Sequence, residues 1–144
     1  MTSFTSEDVV SRPICLHGIE LGEVADLIVD PVTMRALGLV VRCGDERDRF
    51  LPLAAARITD HQVAIGSALL LLDEVPFYRA QGSTVDDLRG AVVRTGRAQA
   101  GTLRDVLVSA DGAVERVLVD TPDGESEVRV DAAVSIAKRR APAA

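Results

Sequence analysis

Short apolar runs separated by turn residues dominate the chain. The clearest pair of runs, Val24 to Asp30 and Leu37 to Arg42, is rich in β-branched residues. A second pair, Leu103 to Val108 and Val114 to Asp120, is joined by a turn containing Asp111-Gly112, and Asp-Gly is a strong hairpin signal. No long helical pattern lies between strands, which argues against parallel βαβ units. The pattern therefore predicts an all-β chain of short strands and tight turns.

This strand pattern occurs twice. The run from Gly22 to Val29 matches the run from Gly101 to Val108, and the offset between the halves stays within 77 to 79 residues. The offset changes only at turns, where insertions cost little because loops lie on the surface. Each copy opens with a helical turn, for which Ser6 in the first copy and Ser83 or Thr84 in the second are the expected caps. The sequence therefore predicts an internal duplication.

The duplication predicts two small β-barrels in tandem, each with about five or six short strands and a helical turn. Closing the sheet removes exposed strand edges, which a unit of this size cannot otherwise protect. We predict a first barrel over residues 1–72, a linker over 73–82, and a divergent second barrel over 83–144 with a short basic tail. Such units are near the lower size limit for independent stability, so the barrels are expected to pack together or against a partner. A homodimer is plausible for the same reason.

The linker contains two of the four aromatic residues of the chain, Phe77 and Tyr78. Flexible linkers are built from small and polar residues, so we expect Phe77 to anchor the linker in the groove between the barrels. The alternative is that Phe77 is exposed for a partner. The candidate interface consists of Phe77, Tyr78, Leu70 and Leu72.

Composition narrows the possible functions. Hydrophobic residues make up 47% and charged residues 26%, which is typical of a folded soluble protein. The formal charge of −6 argues against nucleic-acid binding, and the basic cluster Lys138-Arg139-Arg140 is interpreted as a solubilising tail. Neither a membrane-spanning run nor a signal-peptide pattern is present, so the expected location is cytoplasmic and not membrane-embedded.

The first half resembles a PRC-barrel domain, the family named for the photosynthetic reaction centre H subunit. The resemblance rests on a glycine, an Asp-led apolar strand, a Gly-led strand and a Phe-Leu-Pro strand, which here are carried by Gly22, Asp26, Gly38, Phe50 and Pro52. The family also forms the C-terminal half of a ribosome maturation factor. The resemblance implies a non-enzymatic adaptor that docks onto other proteins, with no catalytic residues to transfer.

The second half keeps Gly101, Asp105 and the two strands, and Gly112 is the structural glycine of its own hairpin turn. It departs from the pattern at Glu127-Val128-Arg129, which occupy the place of Phe-Leu-Pro. Gly22 and Asp26 are interpreted as turn and strand-start residues. We expect the aspartates to accept hydrogen bonds from backbone N–H groups of the barrel wall.

Residues capable of chemistry are few, and each has a structural interpretation. His17 and His61 are expected at a strand end and in a polar turn, and Cys15 and Cys43 as small buried hydrophobic residues. A weak cation site at the acidic turn of Asp45, Glu46 and Asp48 is less favoured than a solvated turn. No cofactor or metal is expected, and the chain is not predicted to be an enzyme.

Three functions follow as hypotheses. The leading one is an adaptor that binds a protein partner at a sheet edge or in the groove between the barrels. The second is a small-ligand or ion sensor with a pocket between the barrels. The third is a ribosome-assembly factor, which the net acidity and the missing first half of the maturation factor disfavour.

Overall fold

The computed structural model describes residues 3–137. Within this range there are thirteen strands: Ser3–Thr5 (β1), Pro13–Leu16 (β2), Ile19–Asp30 (β3), Arg35–Cys43 (β4), Asp48–Pro52 (β5), Arg57–Ile58 (β6), Val63–Ile65 (β7), Ser83–Thr84 (β8), Val92–Thr95 (β9), Ala98–Ser109 (β10), Val114–Thr121 (β11), Gly124–Arg129 (β12) and Val134–Ile136 (β13). The helices are Ser6–Val9 (α1), Val75–Gln81 (α2) and Val85–Leu88 (α3), with 3-10 segments at Leu53–Ala55 and Ala68–Leu70. The predicted all-β class is confirmed. The basic cluster Lys138-Arg139-Arg140 lies outside the described residues.

The strands form two sheets. One has the order β12-β11-β10-β9-β13 with β1 beside β10, and the other has the order β5-β4-β3-β2-β7-β6 with β8 beside β3. They contain six and seven strands, against the five or six expected. The strand order of each sheet does not close on itself in a complete ring, and the architecture is barrel-like. Among residues 3–137, none of the helices is long and apolar enough to cross a lipid bilayer.

Side-chain alternation explains why the predicted runs are strands. Along β11, Val117 and Val119 are buried whereas Asp120 is exposed and Leu118 is half-buried, as expected when successive side chains face opposite sides of a sheet. The centre of each sheet is a twelve-residue strand, β3 or β10. Both are longer than the predicted runs, because each also forms the second arm of the preceding hairpin.

The registers of the two sheets repeat each other. The hairpin pair Leu16 and Ile19 corresponds to Thr95 and Ala98. Asp26 pairs with Val40, as Asp105 pairs with Leu118. The last strands differ, because β7 runs parallel to β2 whereas β13 runs antiparallel to β9. The last strands of the two copies therefore share a place in the sheet but not a direction.

Glycine at two equivalent positions permits neighbouring strands of each sheet to approach closely. Gly22 and Gly101 both lie inside the long strands, so the expectation that Gly22 is a turn residue was wrong. A Cβ at Gly22 would overlap the carbonyl oxygen of Arg42, and a Cβ at Gly101 would lie 2.6 Å from the carbonyl oxygen of Asp120. Asp26 is also inside β3 rather than at its start. Gly112 is a turn residue, as predicted, with a φ of +92°.

Each half gives its opening strand and helical turn to the sheet of the other half. β1 pairs with β10, and β8 pairs with β3. The predicted boundaries at residues 72 and 83 follow the sequence repeat. Hydrogen bonding instead places residues 3–9 with the sheet of the second half and residues 83–88 with the sheet of the first half. Buried residues of both halves consequently form one apolar cluster that includes Phe4, Val9, Val85 and Leu88. The prediction that the two units pack against each other is confirmed.

A buried carboxylate holds the first of these exchanged segments. The side chain of Asp105, in a residue that is only 2% exposed, accepts hydrogen bonds from the backbone N–H groups of Ser6 (3.1 Å) and Glu7 (3.1 Å). It also accepts from the Ser6 hydroxyl at 2.7 Å and from the Val106 N–H at 2.7 Å. The N-cap of α1 is Thr5, not Ser6 as predicted, because the Ser6 hydroxyl is directed to Asp105. In the second copy the cap is Thr84, one of the two residues expected there.

Asp26 occupies the equivalent position in the first sheet. It accepts from the Leu27 N–H at 2.7 Å and interacts with the backbone N–H of Asp86 at the start of α3. Val85 stands where the other half has Ser6, so the side chain at this position has no hydroxyl to donate to the carboxylate. Burial raises the pKa of Asp26 above its ordinary value, although the two N–H groups act in the opposite direction. The prediction that both aspartates accept backbone hydrogen bonds is confirmed.

The substitution Asp105→Asn is expected to lower the free energy of unfolding by about 2–3 kcal/mol, because the amide NH2 would face a buried N–H donor. Urea unfolding followed by circular dichroism measures this change. Asp8→Asn, in the exposed capping box of α1, is the matched control and is expected to cost less than about 1 kcal/mol. Equal losses in the two variants would contradict the role given to Asp105.

The raised pKa of Asp26 predicts a pH dependence of stability. The folded state binds the proton of the Asp26 carboxyl group more tightly than the unfolded state does. The stability that this proton contributes is therefore present below pH 3.8, and it is lost as the pH rises through the pKa of Asp26 in the folded state. Asp26→Asn removes this titration. The stability of the variant relative to the parent should therefore increase from acidic to neutral pH, as measured by urea unfolding at several pH values. A constant difference would refute this assignment.

Candidate interaction surface

The predicted linker contains a short helix that packs on the outer face of the first sheet. In α2, Val75 is buried and Tyr78 is half-buried. The Tyr78 ring stacks on the Phe50 ring with 3.8 Å between centroids and 7° between planes. Ile28 and Val40 complete the small apolar cluster beneath the helix. The helix therefore has a fixed place on the sheet.

Phe50 also holds the segment that precedes the helix. Its N–H donates to the carbonyl oxygen of Leu72 at 2.8 Å, and the Leu72 N–H donates to the carbonyl oxygen of Phe50 at 2.8 Å. Gly38 makes room for the aromatic ring, because a Cβ there would lie 2.6 Å from the ring atom Cζ. The motif residues Gly38 and Phe50 therefore form the base on which residues 72–78 rest, and Pro52 ends the same strand, β5.

Two large apolar side chains project from this anchored region. Phe77 is 54% exposed and meets Tyr78 edge to face at 5.1 Å, and Leu69 in the 3-10 turn is 87% exposed. Leu70 and Leu72 are half-buried against the core clusters. We define the α2 surface as Leu69, Phe77 and the exposed Pro76 between them in sequence.

The expectation that Phe77 anchors the linker was wrong, and Tyr78 is the anchor. Val75 and Tyr78 are three residues apart and therefore lie on the same face of the helix, which is turned toward the sheet. Phe77, two residues from Val75, lies on the other side. Leu69 was not among the candidate interface residues, because the apolar run of residues 69–72 has no periodicity that distinguishes its exposed member.

An arginine neutralises the acidic turn beside this surface. Arg49 donates to both carboxylate oxygens of Asp45, at 3.1 and 2.8 Å, and to Asp73 at 3.1 Å. The hydrogen bonds from Arg49 lower the pKa of Asp45 to about 2. Asp48 is paired with Arg42 at 3.1 Å. Two of the three carboxylates considered for a cation site thus have arginine partners, and among residues 3–137 no cluster of three potential ligands is found.

The equivalent face of the second sheet is charged. By register, Glu127 corresponds to Phe50 and Arg116 to Gly38, and these two residues form an ion pair at 2.9 Å. Arg104 pairs with Glu125 on the same face. An open cleft of about 420 Å³ there is lined by Glu7, Arg104, Leu118, Val119, Glu125, Ser126 and Glu127. Paired charges make this face compatible with water, so it is not a strong candidate for an apolar partner.

A smaller cleft lies between the halves. It has a volume of about 140 Å³ and is lined by Phe4, Leu53, Ala56, Ile58 and Ala110. Sites for small organic ligands usually measure about 300–1,000 Å³. This cleft is therefore small for the ligand pocket considered in the sensor hypothesis.

The remaining candidate residues have structural places. His17 lies in the exposed β2–β3 turn with a φ of +50°, and His61 is exposed in the turn before β7. Cys15 and Cys43 are buried free thiols, as predicted. The structure does not bring the histidines into the α2 surface.

The substitution Tyr78→Ala is expected to lower the free energy of unfolding by about 2–3 kcal/mol through lost packing on Phe50. Phe77→Ala is the matched control from the adjacent position, with an expected loss below about 1 kcal/mol because its ring is largely in solvent. Urea unfolding of both variants measures the difference. A larger loss for Phe77→Ala would contradict the assignment of the anchor.

No family model matches the chain, and no curated protein matches it significantly. The PRC-barrel resemblance consequently stays an interpretation of the sequence motifs, whereas the fold stands on the structure itself.

Proposed function

We propose that this protein is a non-enzymatic adaptor that binds a protein partner through the α2 surface. The observation that carries the proposal is the exposure of Phe77 and Leu69 on anchored segments: Tyr78 beside Phe77 stacks on Phe50, and Leu70 beside Leu69 packs against the core. Exposed apolar groups on an anchored support favour association, because binding removes them from water without first ordering the chain.

The geometry of Phe77 supports a role at the centre of an interface. Aromatic side chains contribute large contact areas at low cost in conformational entropy, and they are frequent among the residues that dominate binding energy. The edge-to-face contact with Tyr78 restricts the Phe77 ring before binding. Arg79, Asp73 and Glu74 are exposed nearby in sequence and supply polar groups for a rim.

Three carboxylates that are hydrogen-bonded within the protein support a structural rather than a catalytic role for these side chains. Asp105 holds the helical turn of the other half, Asp26 contacts Asp86 and Leu27, and Asp45 is held by Arg49. A carboxylate that acts in catalysis needs access to a substrate proton, whereas these three are engaged with donors of the protein.

The substitutions Phe77→Ser and Leu69→Ser test the proposal. Each is expected to weaken binding of a captured partner by roughly tenfold or more, because interface anchors contribute about 2 kcal/mol. Partners are captured from an extract of the native cell on immobilised protein, identified by mass spectrometry, and then titrated in purified form by calorimetry.

The control is Val32→Ser, which removes a side chain that is 89% exposed in the β3–β4 turn. This variant is expected to bind the partner as the parent does. If all three variants bind equally well, the α2 surface is not the binding site. A small molecule that raises the melting temperature of the parent, in the absence of any captured protein, would favour the sensor hypothesis instead.

A further inference from the structure

The first chain segment makes its sheet contacts with the second half. In β1, Ser3, Phe4 and Thr5 pair with Ser109, Val108 and Leu107 of β10. Phe4 is 4% exposed and Val9 is fully buried in the shared core. The segment 3–9 is therefore a strand and helical turn inserted into the second half, and residues 10–12 connect it to the first.

The place that receives this segment is specific. Asp105 accepts from the two backbone N–H groups and the hydroxyl at the start of α1, as described above. Arg89 also donates to the Ser6 hydroxyl at 3.2 Å. These contacts require a strand followed by a turn with serine at its first position, which the segment 3–9 of any copy of this chain provides.

The connection from this segment to the first half contains an unfavourable backbone conformation. Ser11 has a φ of +73°, whereas the equivalent residue of the second copy is Gly90, with a φ of +84°. The two positions are otherwise alike, because the Ser11 N–H donates to Val24 and the Gly90 N–H donates to Leu103, both at 2.8 Å. An L-residue pays a steric cost in this region that glycine avoids.

We infer that the segment 3–9 exchanges between two copies of the chain and forms a domain-swapped dimer. The contacts of the segment with β10 and Asp105 are the same in either arrangement, so only the connection at residues 10–12 changes. An extended connection removes the left-handed conformation of Ser11, and short strained hinges favour such exchange. This inference does not depend on the adaptor proposal, which concerns a different surface.

Opposite substitutions at Ser11 test the exchange. Ser11→Pro excludes a positive φ and removes the N–H that bonds to Val24, so it should favour the extended connection. Ser11→Gly accommodates the tight connection and should favour the monomer. We expect the association constant for dimerisation to be roughly tenfold or more larger for Ser11→Pro than for Ser11→Gly, as measured by analytical ultracentrifugation.

A cross-link shows which chain supplies the segment. Ser3 and Ser109 are register partners, so we would prepare one chain with Ser3→Cys and another with Ser109→Cys, both also carrying Ser11→Pro. Oxidation of the refolded mixture should give a disulfide-linked heterodimer that reduction dissociates. Chains that retain only the buried Cys15 and Cys43 are the control and should not cross-link.

Three results would overturn the inference: monomers for both Ser11 variants, equal dimerisation constants, or a dimer in which the Ser3→Cys and Ser109→Cys chains do not cross-link. If Ser11→Pro fails to fold, the same cysteine pair is refolded with serine retained at position 11. A cross-linked yield that rises with protein concentration then supports the exchange, and a yield that stays at the control level overturns it.

Discussion

The fold depends on a buried carboxylate that receives a helical turn from the other half of the chain. Asp105 is surrounded by donors from Ser6, Glu7 and Val106, and it lies 99 residues from Ser6 in sequence. A buried charge is tolerated only when such donors satisfy it. Because Ser6 and Glu7 belong to the other half, Asp105 receives all of these hydrogen bonds only when the two halves are assembled, and the larger apolar cluster likewise contains residues of both halves.

Much of this fold was predictable from sequence, because the long apolar strands carry their own periodicity. The hairpins around Val24 to Arg42 and Leu103 to Asp120 were found in this way. The exchange of β1 and β8 was not, since strands of three and two residues have no period to detect and their partners are distant in sequence. The predicted cap of the first helical turn, Ser6, is one residue from the observed cap, Thr5, because a turn tolerates such a shift more readily than a strand does.

The candidate site was only partly predictable, for a related reason. The presence of aromatic residues in the linker correctly marked it as an ordered segment. Which of Phe77 and Tyr78 faces the sheet depends on helical phase, and the seven residues of α2 give too short a window to determine that phase. The partner of Tyr78 is Phe50 on the sheet, and only the folded structure shows that contact. The exposure of Leu69 was not predictable, because the four consecutive leucines at positions 69–72 differ in exposure only through the 3-10 turn that contains the first two.

The reciprocal placement of the opening segments has a consequence for the integrity of the molecule. Each half is completed by a backbone segment of the other half. We therefore expect that a break in the peptide backbone within the linker would not by itself separate the two halves. The covalent connection raises the local concentration of the two halves, while the hydrogen bonds and the shared core keep them together. We therefore expect the assembled pair of sheets to unfold as one cooperative unit, although the sequence repeat divides the chain in two.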